Sequence, residues 1–218
     1  MYNITLVCTH HSEFGKCTSD ELYKIIESIE PDVIFEELAQ DLFDKFYKEN
    51  TIPYEPPEIK SVKRYIKNHS ISHFPVDINV SDTLSSNEIA YMFNTLEKST
   101  VYSIVEEDQK RLIFQEGYAF LNSKKNEELI EKKKSLGKGL TQFQKNKNQL
   151  SRIHDLFWEE QHNREHEIIK NVYEYSGKIA YNQALLLLGS GHRKTIFEKV
   201  KKYEFEKHVK LNWALYGN

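Results

Sequence analysis

Apolar residues along this chain fall in short continuous runs that alternate with longer stretches of helical spacing, and that alternation predicts an α/β fold. Residues 2 to 9 hold Ile4, Leu6 and Val7 in a first strand. Thr18 and Glu21 have capping-box spacing, and Leu22, Ile25, Ile26 and Ile29 follow at i, i+3, i+4 and i+7, so a helix is expected there, ended by Pro31. Asp32 to Leu38, with Val33, Ile34 and Phe35, reads as a second strand, making the opening a βαβ unit with a parallel pair. Asp41 to Asn50 is expected to be helical, and the cluster of Pro53, Pro56 and Pro57 to be a loop. A third strand is expected at His73 to Asn79, with Phe74, Val76 and Ile78 on one parity.

From Ser86 the chain turns charged and helix-favouring, and Asp155 to Ser176 reads as one long helix capped by Gly177. Phe157, Arg164, Ile168, Val172 and Tyr175 fall close to one stripe of that helix. An arginine inside an apolar stripe needs a partner or a ligand. Ala184 and four leucines, 185 to 188, have the composition of a strand buried on both faces, and they run through Gly189-Ser190-Gly191 into His192. A short helix over residues 192 to 203 and a last strand at Val209 to Ala214 complete the pattern. The expectation is a single domain over residues 1 to 218: a central, largely parallel sheet flanked by helices, with a helical insertion at about 86 to 176. Its ligand cleft should lie at the carboxyl ends of the strands.

A chain of 218 residues, 12% aromatic, can bury one substantial core. Its formal charge of −3 lacks the basic excess of a nucleic-acid binder. The lysines at 124 to 125 and 132 to 134 interleave with Glu127, Glu128 and Glu131, as on a solvated helix face. Met1-Tyr2-Asn3-Ile4-Thr5-Leu6 is not a basic leader, and no run reaches the length of a membrane span, so a soluble cytoplasmic protein with no membrane partner is expected. Cys8 and Cys17, the only cysteines, form no zinc or disulfide pattern and are expected to be packing residues.

Two predicted strands end in histidine: the first in Cys8-Thr9-His10-His11, the later one in Gly189-Ser190-Gly191-His192. The second ends in Glu36-Glu37. Neutral imidazoles and a carboxylate at neighbouring strand ends can hold a divalent metal with positions open for water, which makes His11, Glu37 and His192 candidate ligands. A second pattern, His162-Asn163-Arg164-Glu165-His166, matches the H-x-x-E-H form of inverted zinc peptidases, with Glu165 as general base. Arg164 facing inward would turn His162 and His166 to the surface, or leave only one of them lining the site. His69 and His73 are expected to be solvent-exposed, and Gly189-Ser190-Gly191 lacks the continuation that a nucleotide-phosphate loop requires.

Leu6-Val7-Cys8-Thr9-His10-His11, Pro31-Asp32-Val33-Ile34-Phe35-Glu36-Glu37-Leu38, Val76-Asp77 with Thr83-Leu84, Arg164 and Leu188-Gly189-Ser190-Gly191-His192 together resemble the TraB/TIKI/PrgY superfamily, to which ChaN-like and erythromycin-esterase-like proteins are related. That family has two Gly-x-x-His motifs, a strand-end glutamate, an aspartate after the third strand and an arginine on the helix before the second motif. The second motif is intact here; in the first, Cys8 stands where the family has glycine, and His11 is the matching histidine. The family pattern selects Glu37 over its neighbour Glu36, and Ile78 stands where an arginine often follows the aspartate. The resemblance implies hydrolysis of an amide or ester in a small-molecule or peptide substrate, with His11, Glu36 or Glu37, Asp77, Arg164 and His192 around the reactive centre. In that reading Asp77 orients a histidine or accepts a proton, and Arg164 stabilises an oxyanion. The TIKI branch implies manganese or cobalt, with zinc the metal of the H-x-x-E-H alternative. The erythromycin-esterase-like relatives imply hydrolysis without a metal. The rival function on the same scaffold is non-catalytic binding of a small molecule, haem or a partner.

Overall fold

The computed structural model describes residues 2–79 and 83–217. Among them the chain is an α/β protein whose five strands form one all-parallel sheet flanked by helices. The amino-terminal part runs β1 (Asn3–Thr9), α1 (Ser19–Ile29), β2 (Val33–Glu36), α2 (Gln40–Asp44), α3 (Pro57–Asn68) and β3 (Ser72–Pro75). Consecutive helices follow: α4 (Ser86–Leu96), α5 (Thr100–Glu116), α6 (Tyr118–Leu121), α7 (Lys124–Thr141) and the 30-residue α8 (Lys147–Ser176). The chain then returns to the sheet with β4 (Gln183–Gly189), passes a short 3-10 turn at Ser190–His192, and ends with α9 (Arg193–Lys207) and β5 (Asn212–Leu215).

The strand order is β3-β2-β4-β1-β5, which corrects the expected pairing of the first two strands. β4 lies between them, with Leu186 opposite Leu6 of β1 and Phe35 of β2. The composition of β4 explains the placement: Ala184 to Leu188 carry aliphatic side chains on both parities and are 0–2% exposed, so the strand is stable only where helices cover both faces of the sheet. Asp32, just before β2, accepts the Asn182 and Gln183 amides at 2.7 and 3.1 Å and clamps the start of β4 against β2.

Three local readings change. α3 starts within the proline cluster expected to be loop, because Pro57 sits in its first turn, where a missing N–H costs nothing, and Glu58, Ile59, Val62 and Tyr65 are buried along one side. β3 is shorter than expected and stops at Pro75. α8 begins eight residues before its expected start. The helices between β3 and β4 also have a core of their own, formed by Leu84, Met92, Leu96, Tyr102, Leu150 and Ile153, apart from the main core around the sheet.

β5 pairs with β1 only as far as Leu6, so the Cys8 peptide lacks a strand partner on that side. Asn122, following α6, supplies one: its Oδ1 accepts the Cys8 amide at 2.7 Å, and its Nδ2 donates to the Cys8 carbonyl at 3.0 Å. Cys8 and Cys17 are buried free thiols, and burial pushes both pKa values up to about 12, as suits packing residues. No helix among the described residues is long and apolar enough to cross a membrane. Asn122→Ala leaves both Cys8 backbone groups buried without their partner and is expected to lower stability by about 1–3 kcal/mol. Urea unfolding measures this, and a loss within experimental error of zero would show that another group closes this edge.

Candidate active site

Parallel strands point their carboxyl ends the same way, and the order β2-β4-β1 puts three of those ends side by side. His11 follows β1, Glu37 follows β2, and His192 closes the turn after β4, at the start of α9. Asp77 is held behind them: its amide donates to the Leu38 carbonyl, and the Val76 amide donates to that of Glu36. Arg164 and Glu165 reach the cluster from α8.

Glu37 sits at the centre. Its Oε1 accepts from Arg164 Nη2 at 3.0 Å and lies 3.5 Å from His192 Nε2. Its Oε2 accepts the Gly189 amide and lies 4.0 Å from His11 Nε2. At Gly189 the backbone approaches the site closely: a Cβ there would stand 3.0 Å from His11 Nε2 and 3.2 Å from Glu37 Oε2, and those side chains would have to shift by a few tenths of an ångström to admit it. Arg164 also donates through Nε to both Asp77 oxygens, at 3.2 and 3.1 Å, and through Nη1 to Gln161. Asp77 therefore orients Arg164, where the expectation was that it orients a histidine or accepts a proton.

Each site histidine is gripped from behind by a glutamate. His192 Nδ1 is 2.8 Å from Glu165 Oε1, and that carboxylate also accepts from Thr195 and from Lys199. Burial alone would raise the Glu165 pKa, but the hydrogen bonds from His192, Lys199 and Thr195 outweigh it and bring it down to about 2. His11 Nδ1 is 2.9 Å from Glu58 Oε1, on the first turn of α3. The bond to Glu58 raises the His11 pKa to about 9, against an opposing desolvation, so the ring is cationic at neutral pH. Its side chain is 63% exposed against 12% for His192, so salt screens the His11 pair and barely reaches the other.

Glu36 and Glu37 part company as adjacent residues at a strand end do. Glu36 accepts from Tyr47 and pairs with His73 Nδ1 at 2.7 Å, so both of its oxygens are taken, and burial raises its pKa. His73, expected to be exposed, instead packs its ring against Phe43 and Tyr47. Glu36 still borders a cavity of about 40 Å³ that it shares with Thr9, His11, Glu37 and Glu58. Thr9 Oγ1 and Glu58 Oε2 are buried there without a hydrogen-bond partner among the described residues, and a polar space of this size admits one water.

The metal set of His11, Glu37 and His192 does not fit this geometry. Glu37 stands between the rings with one oxygen on Arg164 and the other on the Gly189 amide, so both of its ligand oxygens are already engaged by donors. Among the described residues no group of three or more His, Cys, Asp or Glu side chains could hold a metal ion. The H-x-x-E-H set also separates: His162 and His166 are exposed, while Glu165 is buried beneath His192. Glu58 belongs to no motif in the sequence, although Pro57-Glu58 followed by apolar residues at 59, 62 and 65 carries a helix-start signal.

Glu58→Gln removes the charge that holds the His11 proton. A ring titrating near 9 in the native protein should then titrate close to 6.5, as followed by NMR of the imidazole protons. The folded pKa lies above the unfolded one, so the pair's stabilisation is fully present below about pH 6.5 and is lost as pH rises through 9. An unmoved titration would show that the Glu58 bond does not set the shift. Comparison with protein-family models, curated proteins and solved structures finds no match to this chain.

Proposed function

We propose that the protein is a hydrolase of ester or amide bonds that works by acid–base catalysis, with His192 and His11 in unequal roles. The observation that carries this reading is the convergence of two Glu–His pairs on one carboxylate: each Nδ1 is bound by its own glutamate, and each Nε2 faces Glu37. The order of these residues along the chain, and their resemblance to the TraB/TIKI/PrgY pattern, support the same reaction class.

With Nδ1–H directed at ionised Glu165, His192 keeps its Nε2 lone pair free as a general base. It takes a proton from water as the water oxygen attacks the substrate carbonyl, and Glu165 stabilises the imidazolium that forms. His11, already protonated, faces the developing oxyanion and gives its proton to the departing alcohol or amine as the carbonyl–leaving-group bond breaks. The products are a carboxylic acid and an alcohol or amine, and solvent exchange restores both rings. Arg164 is a positioning residue in this scheme, because its guanidinium is already committed to Asp77, Glu37 and Gln161. No step calls for a metal.

Turnover of activated aryl esters and amides is the direct test. His192→Gln should lower kcat by about 10²–10⁴-fold, Glu165→Gln should follow in the same direction, and exhaustive chelation should leave the wild-type rate intact. An absence of turnover across both substrate panels, or a rate indifferent to His192→Gln, would overturn the hydrolytic reading. Activity abolished by chelation and restored by manganese, cobalt or zinc would overturn its metal-free form.

A further inference from the structure

The second core, between β3 and β4, borders an open chamber. The chamber has a volume of about 330 Å³ and is walled by Met92 and Phe93 of α4, Ile113 of α5, Ile130 of α7, and Phe157 and Trp158 of α8. That volume lies in the range of small-ligand sites, roughly 300–1,000 Å³. The rings form an aromatic corner: Phe93 meets Phe157 edge-on at 5.4 Å and 88°, and Phe157 meets Trp158 at 5.1 Å and 80°. Trp158 is fixed from two sides, with its indole N–H donating to His154 Nε2 at 3.1 Å and Lys134 Nζ lying 4.5 Å over its ring.

The floor of the chamber is formed by His10, Ser190 and Gly191, the chain neighbours of His11 and His192. The wall carries three lysines, Lys110, Lys133 and Lys134, against two carboxylates: Lys133 and Lys110 approach Glu106 at 2.7 and 3.4 Å, and Lys134 pairs with Glu131 at 3.5 Å, which leaves one positive charge in excess. Space remains at Gly137, whose added Cβ would stand at ordinary contact distance, 3.4 Å from Leu96 Cδ1 and 3.6 Å from His154 Nε2.

We infer that this chamber is the specificity site of the enzyme and that it takes an aromatic organic anion, held by its rings in the Phe93–Phe157–Trp158 corner and by its charge at the lysines. The preferred substrates are then esters or amides of such an anion, with the scissile carbonyl placed over the turn. The substrate assignment rests on the hydrolytic reading above; the existence of the binding site does not.

Binding of 8-anilinonaphthalene-1-sulfonate, a multi-ring monoanion, tests the site directly. The measurement uses the full chain carrying Trp213→Phe, so that Trp158 is the only tryptophan and reports by energy transfer to the probe. One saturable site is expected, with the neutral N-phenyl-1-naphthylamine bound about tenfold more weakly, the factor set by roughly one lysine contact to the sulfonate. Gly137→Leu, which fills the chamber from a helix that leucine favours, should weaken the anionic probe by about tenfold or more. Reversible chemical unfolding checks that this variant folds, and Phe93→Ala, which opens the aromatic corner instead, should also weaken the probe. His192→Gln should bind as the wild type does. Equal binding of charged and neutral probes, absence of a saturable site, or folded Gly137→Leu and Phe93→Ala variants that bind normally would each overturn the inference. Normal binding in a protein without turnover on any ester or amide would sustain the chamber while removing the hydrolytic reading.

Discussion

A carboxylate removed from water has to be compensated on every side, and Glu37 is the carboxylate on which this structure turns. Its side chain is only 8% exposed, and an uncompensated ion at such depth costs several kcal/mol. Compensation comes from three separate segments: the guanidinium of α8, the peptide N–H at the end of β4, and the protonated imidazole following β1. None of these groups is within a hundred residues of Glu37 in sequence except His11, so the charge is tolerable only once the whole sheet has assembled. Removing any one donor while keeping Glu37 would leave part of that cost unmet.

The sheet order makes the assembly possible. Because β4 enters between β2 and β1, the ends carrying Glu37, Gly189 and His11 are neighbours, which they would not be if the first two strands paired directly. α8 then ties the layers together. At 1.5 Å per residue its 30 residues extend about 45 Å. Its first turns contribute Leu150 and Ile153 to the second core, its middle supplies Arg164 and Glu165, and its last turns bury Ile168, Ile169 and Val172 against the sheet. A single long element thus links the helical layer to the strand ends that carry Glu37 and His192. Asn122 anchors the same layer to β1 from the other side.

The two histidines are alike in sequence context and unlike in environment. Each has a glutamate on Nδ1, yet His192 is enclosed and shares Glu165 with Thr195 and Lys199, whereas His11 is open to solvent over most of its ring. Lys199 and Thr195 draw on the Glu165 charge, so His192 has to share its partner, while the Glu58 oxygen facing His11 has no second donor among the described residues. One environment favours a shielded base and the other an exposed cation. The acid and base roles proposed for the two rings rest on this difference in burial, which is a common way to divide such roles near neutral pH.

Local pattern and composition settled a good deal of this protein in advance. The four consecutive leucines could only be a strand covered on both faces, Thr18 did cap α1, and the arginine set among apolar residues on α8 did require partners, which proved to be Asp77 and Glu37. Such features are readable because they depend on a residue and its near neighbours along the chain: periodicity, capping and the cost of burying an unpaired charge. Other outcomes depended on neighbours distant in sequence. Which of Glu36 and Glu37 faces the site was decided by the turn at the end of β2 and by His73 and Tyr47 waiting on the other side. The pairings of His11 with Glu58 and of His192 with Glu165 join residues 47 and 27 positions apart, and no spacing rule connects them. Sequence alone thus determined which residue types stood at strand ends and which charge had to be answered. Only the tertiary structure decided what answered it, because the energy of a buried ion is set by the atoms within a few ångströms of it and not by the residues beside it in the chain.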